Sequence, residues 1–446
     1  MSLEQSHFQI QEILFTDDYY DDIPFDIGPS VIELNIYEDI EKTYLTGTML
    51  QVDNVGFKST VGITGSERIE ITLKAATGTL VTKKFIISAV QKEVSSNERT
   101  DVRLLSLIEE HAFLSNIIKV SKAYRGEPAT IISNILSGYL DKKLTYNTDG
   151  VREPNIKVII PNLNPLDAVD WIRDKMATSI GAPFFLYASL QDPNITIAQL
   201  ETLITADAWN KENPYTYGQT SHNQTLDNNT EARKLFNVEH FAAAKIESTL
   251  QLAKMGAISA EYNTVDVTSG EMYKYLASSD VTIGRLLDRV GQKLSPQEQN
   301  GLNFNSTMNI GTSNRGVRRI TGYASRIFTN IAADTYHDVN SYNYEKEDGY
   351  RLALKMKAAQ LRTVMTNNVY TITVPGVPYL INPDAGVGSN IQVNFAKNTV
   401  DPNQVTDIDS ERSGKFLVYR ARHQFIKPSR YAVHMNIVKL TRTAER

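Results

Sequence analysis

The stretch VIELNIYEDIEKTYLTGTMLQVDN, Val31 to Asn54, reads as two strands joined by an acidic turn. Ile32, Leu34 and Ile36 alternate with Glu33, Asn35 and Tyr37, the period of two of a half-buried strand. The second strand, Tyr44 to Val52, carries Gly47 at its middle, where a bend or bulge is expected.

Working outward, residues 1–112 read as β throughout. Phe8–Phe15, Ser30–Tyr37, Tyr44–Val52, Arg68–Lys74, Lys83–Glu93 and Thr100–Ile108 are separated by short Gly, Asn and Ser connections. Six short strands at this spacing predict a small antiparallel barrel. Residues 113–212 change period and read as α+β. Glu127-Pro128 opens a helix with Ile131, Ile132, Ile135, Leu136 and Leu140 on one stripe. A strand follows at Ile156–Ile160. Asn164-Pro165 then caps a helix that turns Leu166, Val169, Ile172 and Met176 inward and ends at Gly181. PFFLYASL is a strand, and ITIAQLETLITADAWN repeats the strand-to-helix pattern.

Residues 213–276 form a polar linker and the start of a second barrel. EHFAAAKIESTLQLAKMGAIS is ambiguous between strand and helix, and the following segment to Ser279 reads as a strand pair. Residues 277–345, rich in Asn, Thr and Ser, read as an insertion. Residues 346–446 complete the second barrel: a helix at Asp348–Met365, then strands Val369–Val374, Asn390–Phe395, Lys415–Ile426 and Arg430–Leu440. The last two form a hairpin over Lys427-Pro428-Ser429. No strict repeat exists, but the first and last sections share a loose strand–Gly–strand echo that a duplicated barrel would explain. The expected class is therefore α+β, β-dominated, with two small antiparallel β-barrels, an α+β middle domain and an inserted region.

Composition narrows the function. A length of 446 residues allows roughly three domains. Mean hydropathy of −0.30 is that of an ordinary globular chain, and no window reaches the roughly 20 apolar residues of a spanning helix. MSLEQSHFQI has neither the basic nor the apolar region of a signal peptide. With no cysteine, disulfides, thiolate nucleophiles and zinc–thiolate sites are excluded. A net charge of −5 argues against stable nucleic-acid binding. Charge is nevertheless polarised. Residues 1–41 hold eleven Asp and Glu and no Lys or Arg, whereas residues 411–446 hold nine Lys and Arg against two Glu. Either both ends are simply solvated, or they meet, within one chain or across a subunit boundary.

Few residues of the chain form a pattern that could carry chemistry. A two-residue turn at Pro428-Ser429 would set Lys427 opposite Arg430 and His423 opposite His434, close enough to share a metal, although no third ligand is apparent. The carboxylate pairs Asp17-Asp18, Asp21-Asp22, Glu109-Glu110 and Asp407/Asp409 lack the apolar setting that tunes an acid pair. DDYYDD at 17–22 lacks the Gly and closing Glu of a calcium loop. GVGSN at 386–390 lacks the Lys-Ser/Thr of a phosphate loop and reads as a turn. Arg318-Arg319 and Arg420/Arg422 are basic, but the first pair lacks interleaved aromatics. Trp171 and Trp209 lie in helical patterns and read as core. No residue is assigned a catalytic, cofactor-binding or metal role, and no cofactor is expected.

Four segments together resemble the central baseplate hub family of contractile phage tails, which is related to the hub part of type VI secretion spike proteins. They are Val31–Asn54, Asn164–Leu186, Thr371–Val393 and Ser413–Leu440. Residues 277–345 fall outside the resemblance. It implies a non-enzymatic homotrimer with two barrels per chain. Six barrels would form a pseudo-six-fold ring joining a six-fold tail tube to a three-fold central spike around an axial channel. Tail tube protein, spike protein and baseplate wedge proteins are the implied partners, and the virion tail baseplate the implied location. Two other classes compete with it: a cell-wall-degrading tail enzyme, which needs a convergent acid pair, and a receptor-binding tail protein, which often ends in a variable tip with repeats.

Overall fold

The computed structural model describes residues 8–16, 24–53, 63, 65, 67–75, 78, 80–97, 100–147, 155–218, 235–243, 249–256, 258–265, 270, 272–278, 309–310, 318–319, 322–331, 336–340, 343–346, 349–365, 369–396, 408–409, 412–428 and 430–439. The fold class is β-dominated α+β.

Seven strands build the N-terminal half: β1 (Phe8–Thr16), β2 (Phe25–Asp26), β3 (Val31–Asp39), β4 (Thr46–Asp53), β5 (Arg68–Ala75), β6 (Leu80–Asn97) and β7 (Thr100–Glu109). They pair antiparallel in the order β3-β4-β7-β6-β5-β1-β2. The opening pair forms as its alternation predicts, with one correction. A register shift between Val31 and Glu33 turns Ile32 outward, 44% exposed, and leaves Leu34, Ile36 and Glu38 facing in. Gly47 also differs from expectation, since the ladder runs through it without a bulge. A Cβ there would lie 2.9 Å from the Asn35 carbonyl oxygen and 3.4 Å from Leu107 Cβ. Its role is close approach of strands. Gly47→Ala is therefore expected to destabilise by about 1–3 kcal/mol, read as a lower denaturation midpoint at unchanged slope.

The middle section contains α1 (Glu110–Ile117), β8 (Ala123–Gly126), α2 (Pro128–Leu140), β9 (Leu144–Asn147), β10 (Ile156–Ile159), α3 (Pro165–Arg173), β11 (Phe184–Ala188), β12 (Ile195–Gln199) and α4 (Leu200–Thr205). Every residue of the predicted stripes is buried: Ile131, Ile132, Ile135, Leu136 and Leu140 on α2, and Leu166, Val169, Ile172 and Met176 on and after α3. They join β10, β11 and β12 in a core of their own. The second helix stops at Arg173, earlier than its pattern suggests, because Lys175 and Met176 switch to the tighter bonds to Ile172 and Arg173 carbonyls. Trp209 lies beyond the end of α4, in a turn where its backbone N–H donates to the Asn390 carbonyl.

The remaining elements are β13 (Tyr215–Tyr217), β14 (His240–Ala243), α5 (Thr249–Lys254), β15 (Ser259–Val265), β16 (Met272–Ser278), β17 (Asn309–Ile310), β18 (Arg318–Arg319), β19 (Arg326–Ile331), β20 (Tyr336–Asn340), β21 (Asn343–Lys346), α6 (Gly349–Met365), β22 (Val369–Pro375), α7 (Val377–Ile381), β23 (Asn390–Phe395), β24 (Gly414–Ile426) and β25 (Arg430–Lys439). The ambiguous segment supplies both a strand, β14, and a helix, α5. The expected strand pair is β15–β16, and β19 joins it in parallel. Strand β20 pairs with β10 of the middle section.

The C-terminal strands run β14-β22-β25-β24-β23-β13. Its first five strands match β3-β4-β7-β6-β5 strand for strand, with matching registers, whereas β13 joins β23 in parallel where β1 joins β5 antiparallel. Thr46, the first residue of β4, faces Ile108 on β7; Val369, the first of β22, faces Val438 on β25. Arg68, the first of β5, faces Ile86; Asn390, the first of β23, faces Leu417. The first register shift along β6 falls between Ile87 and Ala89, and the one along β24 between Val418 and Arg420. Buried rows correspond too: Phe85 and Ile87 with Phe416 and Val418, Met49 with Ile372, Leu105 and Leu107 with Met435 and Ile437. The loose echo in the sequence is thus a repeated sheet topology. Its two copies are fused edge to edge, because β24 pairs antiparallel with β3 from Arg420↔Asp39 to Ile426↔Glu33. One 13-stranded sheet and one continuous core result.

Candidate functional site at the joint between the halves

The β3–β24 joint is where the acidic and basic ends of the chain meet. On the outer face, Arg420 Nε donates to Asp39 Oδ2 at 2.7 Å and Arg422 Nε to Asn35 Oδ1 at 2.9 Å. Gln424 Nε2 donates to Glu33 Oε1 at 2.8 Å, and Arg422 lies 3.5 Å from the same oxygen. The Gln424 hydrogen bond, with further help from Asn35 and Arg422, holds the Glu33 carboxyl below its ordinary range against the opposing effect of burial. A polar groove of about 420 Å3 opens over this row, lined by Tyr37, Asp39, Arg420, Arg422, His434 and Asn436 among others.

Beneath the row lies a fully buried constellation. Glu38 accepts hydrogen bonds from the Leu190 N–H, from Tyr379 Oη at 2.9 Å and from the Val387 N–H at 3.3 Å. His423 Nε2 stands 3.6 Å from its carboxylate, and His423 Nδ1 bonds Tyr431 Oη at 2.9 Å. Burial opposes ionisation of Glu38, yet the charge and hydrogen bonding of His423, with the Leu190 and Tyr379 bonds, leave its carboxyl below the ordinary range. Burial pushes the Tyr379 and Tyr431 hydroxyls well up, so both stay protonated. A Glu–His–Tyr group could move protons, but both side chains of the Glu38–His423 pair have no solvent exposure, so no substrate reaches them. What the group does is mechanical. It fastens β3 and β24 to the segment after β11 and to the turn after α7.

The two histidines do not meet. The ladder pairs Ile426 with Arg430, His423 with Val433 and Arg422 with His434. Lys427 leaves the hairpin, its N–H donating to the Ile32 carbonyl and its ammonium to the Gly28 carbonyl. That lengthens the turn by one residue, and a one-residue slip sends neighbouring side chains to opposite faces. His423 is in the core. His434 sits on the outer face between Thr373 Oγ1 at 2.9 Å and Gln424 Oε1 at 3.0 Å. Since the Gln424 amide nitrogen is engaged by Glu33, His434 donates through Nε2 and accepts from Thr373, as neutral imidazole. Burial, then Arg422, Arg430 and His240, lower its pKa.

The other candidate residues are dispersed. Glu109 and Glu110 point apart. Glu109 is buried and accepts from the Leu45 N–H at 3.0 Å, with Lys142 at 3.3 Å and His111 at 3.6 Å, whereas Glu110 is 3.7 Å from Arg68 at the surface. Asp409 accepts from the Arg412 N–H, closing a local turn. Asp17, Asp18, Asp21, Asp22 and Asp407 lie outside the described residues. Arg318 and Arg319 form the short strand β18. The 386–390 segment is a turn whose Gly388 N–H donates to the Val418 carbonyl. Trp171 and Trp209 are partly buried against the two main cores. Among the described residues no three His, Asp or Glu side chains gather as a metal site.

A second network locks three sections together. Arg173 on α3 contacts Asp170 at 3.1 Å, Asp174 at 3.3 Å and Glu41 at 3.6 Å, and Arg362 on α6 reaches Asp174 at 2.7 Å. Tyr419 Oη donates to Glu41 at 3.0 Å. Burial raises the Asp170 pKa to about 6 despite the opposing pull of Arg173. A carboxyl raised in the folded state favours folding most when protonated, so this contribution falls as pH rises from about 4 through 6. Asp170→Asn should remove that dependence and raise stability at pH 7.5 by about 1 kcal/mol or less, since part of the side chain remains in water. Thermal melts at pH 5 and 7.5 check it.

Sequence reasoning missed Glu38 as a buried anchor, together with Tyr379, Tyr431 and Lys83, whose ammonium bonds the Ser189 and Asp192 carbonyls at 2.8 and 2.6 Å. One signal was available: Glu38 follows Leu34 and Ile36 in the inward phase of β3.

This arrangement has known counterparts. The tail protein from Neisseria meningitidis MC58 superposes with a TM-score of 0.51 at 11% identity, covering 96% of this chain and 98% of that one. The 43 kDa tail protein of prophage MuSo2 from Shewanella oneidensis gives the same values. The chain has the phage tail protein fold. A looser likeness, TM-score 0.43 at 8% identity, links it to the Escherichia coli c3393 component of the type VI secretion system, covering 98% of this chain and 79% of that one. No family model and no curated protein matches the sequence.

Proposed function

We propose that the chain is the structural hub of a contractile phage tail baseplate, resident in the virion tail. The observation that carries this reading is the repeated sheet topology, fused edge to edge in one chain, in a fold shared with phage tail proteins. In this reading each half closes into a small antiparallel barrel. Three chains form a ring of six barrels, because rotating two near-equivalent units about a three-fold axis produces six similar interfaces. The ring joins a six-fold tail tube to a three-fold central spike, contacts baseplate wedge proteins and leaves an axial channel.

The role is geometric and non-enzymatic. It is supported by the placement of the best acid–base constellation, Glu38 with His423, where no substrate reaches it. The channel wall is neutral to acidic, since a basic wall would retain passing DNA. Light scattering with negative-stain class averages tests the assembly. A trimer with a central hole and six lobes is expected, alone or with the spike protein of the same genome. A chain that stays monomeric with that spike overturns the reading. A lumen lined mainly by Lys and Arg overturns the channel assignment.

A further inference from the structure

Among the described residues the fused repeat leaves two sheet edges open, and they are the equivalents of the two that pair inside the chain. Strand β24 is shared along its length: its first part pairs with β23, and after the register shift at Val418/Arg420 its second part pairs with β3. Strand β6 is built the same way. Its first part, to Ile86, pairs with β5, and the first of its three register shifts follows at Ile87/Ala89. Beyond that shift no strand among the described residues pairs with its outer edge. Ser88 to Val94 are exposed at every position, including Val90 at 39% and Val94 at 46%. At the far end of the sheet, β14, the equivalent of β3, has β22 as its one partner strand among the described residues, and the bridge Thr216↔Asn237 to β13 ends just before it.

We infer that the β6 edge of one chain pairs antiparallel with the β14 edge of a second copy, repeating between chains the joint that β24 and β3 make within one. The register transfers through the bulges. In the internal joint Ile36, Asn35 and Leu34 face His423, Gln424 and Phe425. A second shift along β6, between Val90 and Lys92, makes Glu93, Val94 and Ser95 (opposite Arg103, Val102 and Asp101) the equivalents of His423, Gln424 and Phe425 (opposite Val433, Ala432 and Tyr431), so Ala243, Ala242 and Phe241 face Glu93, Val94 and Ser95. A long exposed strand edge carrying apolar residues is a template for another strand, and natural chains rarely leave one uncovered. The two edges are different surfaces of one chain, so the contact is head-to-tail, and it closes into a ring only if each joint turns by the right angle. Because the internal joint is already one such turn, a three-chain ring has six like joints. That count rests on the trimer proposed above; the edge pairing itself does not.

The absence of cysteine makes the test direct. Val94→Cys and Ala242→Cys chains are prepared separately, mixed, and treated with a bifunctional maleimide spanning about 10 Å, roughly three residues of strand. The mixture should yield a cross-linked dimer, and neither chain alone should. The doubly substituted chain should yield a ladder ending at the closed ring. Self-linking of the Val94→Cys chain would mean a symmetric β6–β6 contact and overturn the proposal. Absence of linking in a sample whose scattering mass is trimeric would overturn this edge pairing and leave the hub reading standing. A sample that stays monomeric and unlinked even with the spike protein of the same genome present would remove both. Circular dichroism matching the parent chain excludes misfolding as the cause.

Discussion

Replacing Glu38 with alanine should destabilise the protein by about 3–5 kcal/mol, the range for breaking a buried charged pair from one side. The carboxylate is the common acceptor for the Leu190 N–H, the Tyr379 hydroxyl and the Val387 N–H, and it faces His423. Its removal strands donors from three segments where water cannot replace it. Urea denaturation monitored by Tyr and Trp fluorescence gives the number. Arg420→Ala is the comparison: Arg420 makes a 2.7 Å bond to Asp39 in the same joint, but its side chain is 50% exposed. Its loss should cost less than about 1 kcal/mol. Equal effects would show that the buried group is not the anchor. The pH dependence has a definite sign. The folded-state pKa of Glu38 is lowered, so its stabilisation is present above its unfolded value of about 4 and is lost as pH falls through the folded value. The difference between parent and Glu38→Ala should therefore shrink in acid.

The second large effect is expected at Arg103, in the N-terminal half. Its guanidinium is 1% exposed and bonds Asp53 at 3.0 Å and Glu93 at 2.9 Å, with Asp101 at 3.6 Å. Arg103→Met should also cost about 3–5 kcal/mol, because the Asp53 carboxylate stays buried without its cation. Adding Asp53→Asn should recover part of that loss, and the double-mutant cycle should show coupling above about 1 kcal/mol. Additive losses would mean that the buried arginine acts by packing. Arg103 also braces the exposed half of β6 through Glu93, so the single variant should weaken β6–β14 cross-linking as well as stability.

Much of the architecture was legible in the residues. Alternation placed β3 and β4, and helical periodicity picked out the buried side chains of α2 and α3 down to Met176, which lies just past the helix end. These are local properties: a period of 2 or 3.6 is written in consecutive residues and needs no partner. The polarised charge was legible as well, and Arg420 with Asp39 and Arg422 with Glu33 now show the two ends meeting within one chain. The His423–His434 pairing was not legible, because it depended on turn length. Lys427 turns aside to bond Ile32 and Gly28, almost four hundred residues away in sequence, and the slip that follows separates the histidines onto two faces.

What the sequence by itself determined, then, was where the most regular strands and helices lie, which face of α2 and α3 is apolar, and that the two ends carry opposite charge; whether those ends meet it left open. Tertiary structure alone decided the registers, the bulges, the burial of Glu38 and the equivalence of the two halves. The physical reason is that alternation repeats every two residues and is blind to a shift of register. Only the partner strand, held by backbone hydrogen bonds and by what its turns and bulges allow, chooses among the shifts.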